Sequence, residues 1–415
     1  MRQRYLIILS IVLLLLLTFI SFSAYPQEEG KDDQKNDTIL FETSDTTYCI
    51  FENINLNDRK LKIPSNCTLD FRGGSIRGGV IVGNKTRITG DIKGIFNNVI
   101  ISGTWCVNYI SSSMFDDVYN SISLKSLFSL ASDNVLNTIV IEGGTYNLTC
   151  DIEEPDGLII PSRTNLILHG DIKLEPNSLS YSSIFLVQNA DSVTIYGNGH
   201  IYGDFDRHLG KKGEWGMGVK IFNSRDVIVR DISISNCWGD GIYISGESEH
   251  VTIHKCNISK CRRQGISITS AKNVDISDCA ITGIGGTAPG CGIDVEPNKY
   301  KVVSNIKISN SFITNCQGGF SCSGKAEGSL LNEVEILNCT IKDCDAKYTL
   351  AVGRLSNAII KGCNIYSENR CAIRSRLVDG LSITDNSVHS TNKEAIMVLE
   401  CSNFKNINNI IFNYR

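Results

Sequence analysis

Along most of the chain, apolar and polar residues alternate in short runs, such as Val251-Thr252-Ile253 and Ile266-Ser267-Ile268. Alternation with a period of two predicts strands that bury one face, not helices. A longer order lies over this one. The segments GVKIFN, GIYISG, GISITS, GIDVEP, GFSCSG, TLAVGR, AIRSRL and AIMVLE align on one another. Their first apolar residues, Val219, Ile242, Ile266, Ile293, Phe320, Leu350, Ile373 and Ile396, follow at spacings of 23 to 30 residues. Repeats of this size predict a solenoid, and two or three strand segments per repeat predict that each coil climbs by the ~4.8 Å strand spacing. A leucine-rich consensus and a helical 3.6-residue period are both absent. The fold class that remains is all-β, a right-handed parallel β-helix.

Stacked coils place equivalent residues in vertical columns. One inward column reads Ile232, Cys256, Cys279, Ser311, Cys339, Cys363, Asn386, and a second reads Cys237, Cys261, Cys316, Cys344. Small semi-polar residues suit a narrow interior, and buried free thiols packing as small hydrophobes explain the columns. Disulfides, or a soft metal ion shared by Cys256 and Cys261, are the competing explanations. The metal reading suffers because the columns continue as Ser, Ile or Asn. Upstream, LKIPSNCTLDFRGGSIRGGVIVGNKTRITG reads as further strands with Gly pairs at turns. Between the two regions, Val118, Ile122, Leu124, Leu127 and Leu130 form a helical stripe over 116–132, predicting a helix that covers the open end of the solenoid.

The N-terminus bears on compartment. Arg2 and Arg4 precede an apolar run from Tyr5 to Ile20, and Ser21-Phe22-Ser23 supplies small residues before Ala24, the pattern of a secretory signal peptide. A retained membrane anchor is the rival, since the run approaches the length of a short spanning helix. The expected organisation is a signal peptide over 1–23, a solvated linker over 24–37, an N-terminal β-rich unit over 38–113, and the β-helix with its helical cap over 114–415. The product would be periplasmic, on the cell surface or secreted. After cleavage it would have no membrane partner.

Composition narrows the chemistry. The 415 residues carry 40 Lys plus Arg and 44 Asp plus Glu, a formal charge of −4, which loss of Arg2 and Arg4 takes to −4 − 2 = −6. A chain so balanced lacks the basic surface that phosphate neutralisation needs, so nucleic acid is not an expected partner. A monomer is expected. The 16 Cys are too dilute for a disulfide scaffold.

The order helix, IVIEGGTYNL, VTIYGNGHIYGD and then coils of the form NVxIxxCxI resembles the pectate lyase and polygalacturonase superfamily over roughly 114–400. The LDFRGGSIRGG unit with such a helix also looks like exported β-helix proteins of gut Bacteroidetes, most of them without an assigned activity. This resemblance implies an extracellular polysaccharide or oligosaccharide partner. The polygalacturonase motifs match only in part. Asp240 in Trp238-Gly239-Asp240-Gly241 fits the family's first aspartate. Arg262-Arg263-Gln264 stands where an aspartate pair is usual, Cys291-Gly292-Ile293-Asp294 lacks the histidine, and no Arg-Ile-Lys occurs.

Candidate chemistry follows from strand parity. Outward positions on successive coils include Lys220, Tyr243, Ser267, Asp294, Ser321, Ala351 and Arg374. Asp294 and Glu296 lie two apart on one strand and share the outer face, roughly 6–7 Å apart from the rise per residue. Two carboxylates that close raise one pKa and keep an acid protonated near neutrality. With Asp240 and Arg263 on the two preceding coils, they form the expected catalytic set of a glycoside hydrolase. In a uronate lyase, the same pair would hold Ca²⁺ while Arg263 removes the proton; otherwise no cofactor or metal is expected. In a non-catalytic carbohydrate binder, Asp294 and Glu296 would simply pair with Arg263 and Lys299. The insertion GDFDRHLGKKGEWGMG over 203–218 is expected to wall the groove. Trp215, Tyr243, His208, Arg262 and Arg374 are the expected substrate-binding residues.

Overall fold

The computed structural model describes residues 41–116, 118–344, 348–368, 371–391 and 394–413. The expected signal peptide, the whole linker over 24–37 and residues 38–40 of the expected N-terminal unit lie outside these residues. Strand dominates, and every strand pairing is parallel within sheets of 6, 20 and 11 strands. A typical coil runs Ile242–Ser245, Ser248–His254, Asn257–Ser259, and the next repeats it as Ile266–Ile268, Ala271–Ser277, Ala280–Thr282. Two strands of each coil join the large sheet and the third joins the 11-stranded sheet. The register is strict: Ile242 pairs Ile266, which pairs Ile293, which pairs Phe320. The right-handed parallel β-solenoid read from the repeat is the observed architecture.

The turns show why the repeat contains these residues. Before each inward column comes a left-handed residue: Asp231, Lys255, Asp278, Asn310, Asn338 and Asp385 all have φ between 50° and 58°. Asn and Asp tolerate this conformation better than most side chains, which accounts for their recurrence there. The next residue then points inward and its side chain satisfies a turn carbonyl. Cys279 Sγ donates to Ser277 O at 3.3 Å, Ser311 Oγ to Ser309 O at 2.9 Å, and Cys339 Sγ to Leu337 O at 3.4 Å. From Cys256 to Cys363 the column shares a short side chain that donates two residues back. At its end Asn386 takes over, donating to Ile360 O at 2.9 Å while its Oδ1 accepts from Cys363 N at 2.8 Å.

The glycine that opens five successive repeating strands, giving way to Thr349, Ala372 and Ala395 in the later coils, is dictated by close approach. A Cβ on Gly241 would stand 2.6 Å from Ile258 Cγ2 and 2.7 Å from Gly265 O. The same position recurs at Gly218, Gly265, Gly292 and Gly319, each facing an isoleucine methyl of the opposite sheet. The interior is thus pinched at this corner and filled by Ile, Val and Cys elsewhere.

The N-terminal strands Thr47–Ile50, Thr68–Phe71, Ile76–Gly90 and Phe96–Trp105 also stack in parallel. Helix α1 covers only Ser121–Phe128, capped by the Asn120 side chain, which accepts from Ser123 N. It is shorter than the stripe predicted. Leu124 and Leu127 are buried in it, but Ile122, its second residue, is exposed, while buried Val118 and Leu130 lie outside the helix on either side.

Candidate functional site

The turns that open three successive coils converge. Their register follows from the ladder: Gly218 N donates to Asp240 O, Gly241 N to Gln264 O and Gly265 N to Cys291 O. Asp240, Gln264 and Cys291 therefore occupy equivalent places. Asp240 is 0% exposed and its carboxylate accepts from Arg263 Nη1, at 3.3 Å to Oδ1 and 3.1 Å to Oδ2. Arg263 Nε lies 3.8 Å from Glu214 of the insertion, so one guanidinium spans a buried and a half-exposed carboxylate. Burial pushes the Asp240 carboxyl up to about 7 against the pull of Arg263, and the Asp294 charge pushes the same way.

Asp294 stands on the outer column, as parity predicts: Ser267 pairs it on one side and Ser321 on the other. Outward does not mean open here, for Asp294 is 2% exposed. Gln264 Nε2 donates to its Oδ2 at 3.0 Å, while Gln264 Oε1 accepts from Cys291 N at 2.9 Å. Burial, then the Glu296 charge, push the Asp294 carboxyl up to about 6. Glu296 is on the rim, 40% exposed, with Lys325 Nζ at 3.5 Å. Lys299 pairs instead with Glu327 at 2.7 Å, so the ion network expected between Glu296 and Lys299 is differently wired.

The structure brings Asp240, Arg263 and Asp294 together through Gln264, with Glu296 beside them. It distributes the expected binding residues more widely. Trp215 is the strand partner of Tyr181 and 47% exposed. The Tyr243 hydroxyl accepts from Thr269 Oγ1 at 3.0 Å. His208 turns inward: Nδ1 lies 2.8 Å from buried Asp204, and the ring stacks on Trp238 with centroids 3.8 Å apart. The Arg262 guanidinium lies 3.7 Å from the Trp238 ring and donates to Gly213 O at 2.9 Å, tying the insertion to the coil. Arg374 is three rungs beyond Asp294 in the outer column, over the Tyr348 ring at 4.9 Å.

Trp238, Gln264 and Glu214 were absent from the expected set. The first two could have been found by aligning Cys237 with Cys261, which makes Trp238 a neighbour of Arg262 and Asp240 a neighbour of Gln264. Glu214 lies in an insertion outside the repeat, where no column predicts a position. Among the described residues no group of three or more His, Cys, Asp or Glu could hold a metal ion. No helix among them is long and apolar enough to cross a membrane.

Comparison with known proteins places these coils in a family. The chain is 30% identical over 221 residues to the uncharacterised protein YclG of Bacillus subtilis, covering 45% of this chain and 38% of that one. It is 26% identical over 302 residues to the uncharacterised prophage-derived protein YorA of the same organism, covering 64% and 49%. It therefore spans less than half the length of either curated relative. Among solved structures, endo-xylogalacturonan hydrolase from Aspergillus tubingensis superposes with a TM-score of 0.49 at 11% identity, over 73% of this chain and 92% of that one. The family model described as the right handed beta helix region matches residues 133–300 and 288–415. This match extends over more than half of the sequence, and the protein belongs to that right-handed β-helix family.

Proposed function

We propose that this is an exported polysaccharide-acting β-helix protein that hydrolyses a glycosidic bond on the outer face of its large sheet. One observation carries the reading. Two buried carboxyls, Asp240 and Asp294, have their pKa raised to about 7 and about 6 at the same side of coils two rungs apart, with Arg263, the ion-pair partner of Asp240, on the coil between them. Raised carboxyl pKa values matched to neutral pH are what proton transfer to a leaving oxygen requires. Asp294 is the acid, its carboxyl pushed up to about 6 by burial and the Glu296 charge, and it is oriented by Gln264. Glu296, two residues on and open to water, is the second carboxyl. Asp240 and Arg263 touch no substrate in this reading; they set the field around Asp294 and are positioning residues. Exposed Trp215 offers a stacking face for a sugar ring.

A second reading, a non-catalytic glycan binder, is favoured by the 2% exposure of Asp294. Both are separated by incubating the folded chain and its Asp294→Asn and Glu296→Gln variants with plant, algal and host glycans, following reducing ends and ultraviolet absorbance. Reducing ends released by the wild type and lost in both variants support hydrolysis. New ultraviolet absorbance replaces it with β-elimination, and silence from the folded wild type replaces it with binding alone.

A further inference from the structure

Cys237 and Cys261 occupy equivalent places on successive coils. Asn236 N donates to Ser259 O at 3.1 Å and Arg262 N to Cys237 O at 3.0 Å, which pins the two cysteines as rung neighbours. Rung spacing puts their Cα atoms ~4.8 Å apart. A disulfide accepts Cα separations of roughly 4.4–6.8 Å. Both thiols are buried, at 1% and 0% exposure.

The attachment of Cys237 to its own turn is the weak one of the column. Its Sγ reaches Ser235 O only at 3.8 Å, whereas Cys316 and Cys344 donate to the corresponding carbonyls at 3.3 Å. Its sulfur is therefore less firmly tied to its turn than the sulfurs of those two. Immediately after the pair come Trp238-Gly239-Asp240 and Arg262-Arg263-Gln264, the two turns of the candidate site.

We propose that Cys237 and Cys261 form a disulfide that staples these two turns, closed while the chain folds in an oxidising compartment. Each thiol gives up its hydrogen, one S–S bond forms, and two electrons and two protons pass to a disulfide oxidant, which leaves as two thiols. Timing follows from the chemistry. The thiolate is the reactive form, and the neighbouring Cys261 thiol together with burial pushes the Cys237 thiol well up, so the folded, reduced pair exchanges poorly. Three further thiol pairs share the same ladder arrangement, Cys256 with Cys279, Cys316 with Cys344 and Cys339 with Cys363, and the same experiment reads them. The crosslink does not depend on the proposed hydrolysis.

The test is to produce the full chain in a reducing cytosol and, separately, directed to an oxidising bacterial periplasm. Free thiols are alkylated in denaturant, the protein is digested without reductant, and its peptides are mapped. Cleavage after Lys260 separates Cys261 from Cys256, so the partners are unambiguous. The expected result is a Cys237–Cys261 crosslinked peptide, two hydrogen masses lighter than its parts and split by reductant, in the periplasmic protein alone. The periplasmic wild type should also melt several degrees lower after reduction, and by more than the Cys237→Ser/Cys261→Ser variant does. Folded periplasmic protein with both residues alkylated, either one joined to another cysteine, or a chain that folds only in the cytosol, would each overturn the proposal.

Discussion

Replacing Asp240 by Asn should make the protein more stable, and by an amount that depends on pH. The carboxyl is fully buried and its pKa is raised from 3.8 to about 7. In the unfolded chain it ionises near its ordinary value. Between roughly pH 4 and 7 the folded state holds a proton that the unfolded state has released, so stability falls as pH rises through this window. Three pK units at about 1.36 kcal/mol each make the accumulated penalty ~4 kcal/mol, complete above pH 7 and absent below about pH 4. Asn carries no such penalty. It has nearly the same shape, and its carbonyl still accepts from Arg263. Urea midpoints of wild type and Asp240→Asn, measured from pH 4 to 8.5, should coincide at the acid end and separate steadily to a plateau near pH 7. A gap independent of pH, or a variant less stable than wild type at pH 8, refutes the argument. A residue retained against such a cost is the signature of a functional group, so the same variant should lose glycan turnover if the hydrolytic reading holds.

Two further outcomes concern the scaffold. Asn386→Ala leaves Cys363 N and Ile360 O without their partner inside the core, and at about 1–3 kcal/mol for each orphaned group should cost ~2–6 kcal/mol, read as a fall in the urea midpoint. Gly241→Ala drives a methyl against Ile258 and the Gly265 carbonyl and should cost ~1–3 kcal/mol, whereas an alanine at Gly143, where a Cβ meets nothing within 4 Å, should cost far less; equal melting temperatures for the two would contradict the pinched corner.

Most of the scaffold was written in periodicities. Alternation gave the strands, and the 23-to-30-residue repeat gave the coils. Alignment on cysteine gave both inward columns, with Ile284 filling the place between Cys261 and Cys316. Parity placed Lys220, Tyr243, Asp294 and Arg374 in one outer column, where they are found. What parity could not give is solvent access. Asp294 faces outward yet is covered, because exposure there is decided by neighbouring side chains such as Gln264 and not by strand direction. His208 illustrates the same limit. It sits in an insertion with no periodic constraint, and only the folded loop shows that Asp204 and Trp238 draw it inward.

The recurring glycine corner also governs how such a chain can change in size. Each glycine sets the width of its coil against an isoleucine across the interior, so the cross-section has no slack to take up an extra residue. Inserted residues must leave the barrel of the coil altogether, which is what residues 203–214 do between the strands His200–Tyr202 and Trp215–Phe222. Length, by contrast, is free in whole units. Excising residues 242–265 would join Gly241 to Ile266 and leave the glycine, isoleucine and thiol columns in line, whereas losing half as many would turn every later side chain out of phase. A protein indexed this way can lengthen or shorten the outer surface of its large sheet one coil at a time, while the chemistry of each rung is varied independently of its neighbours.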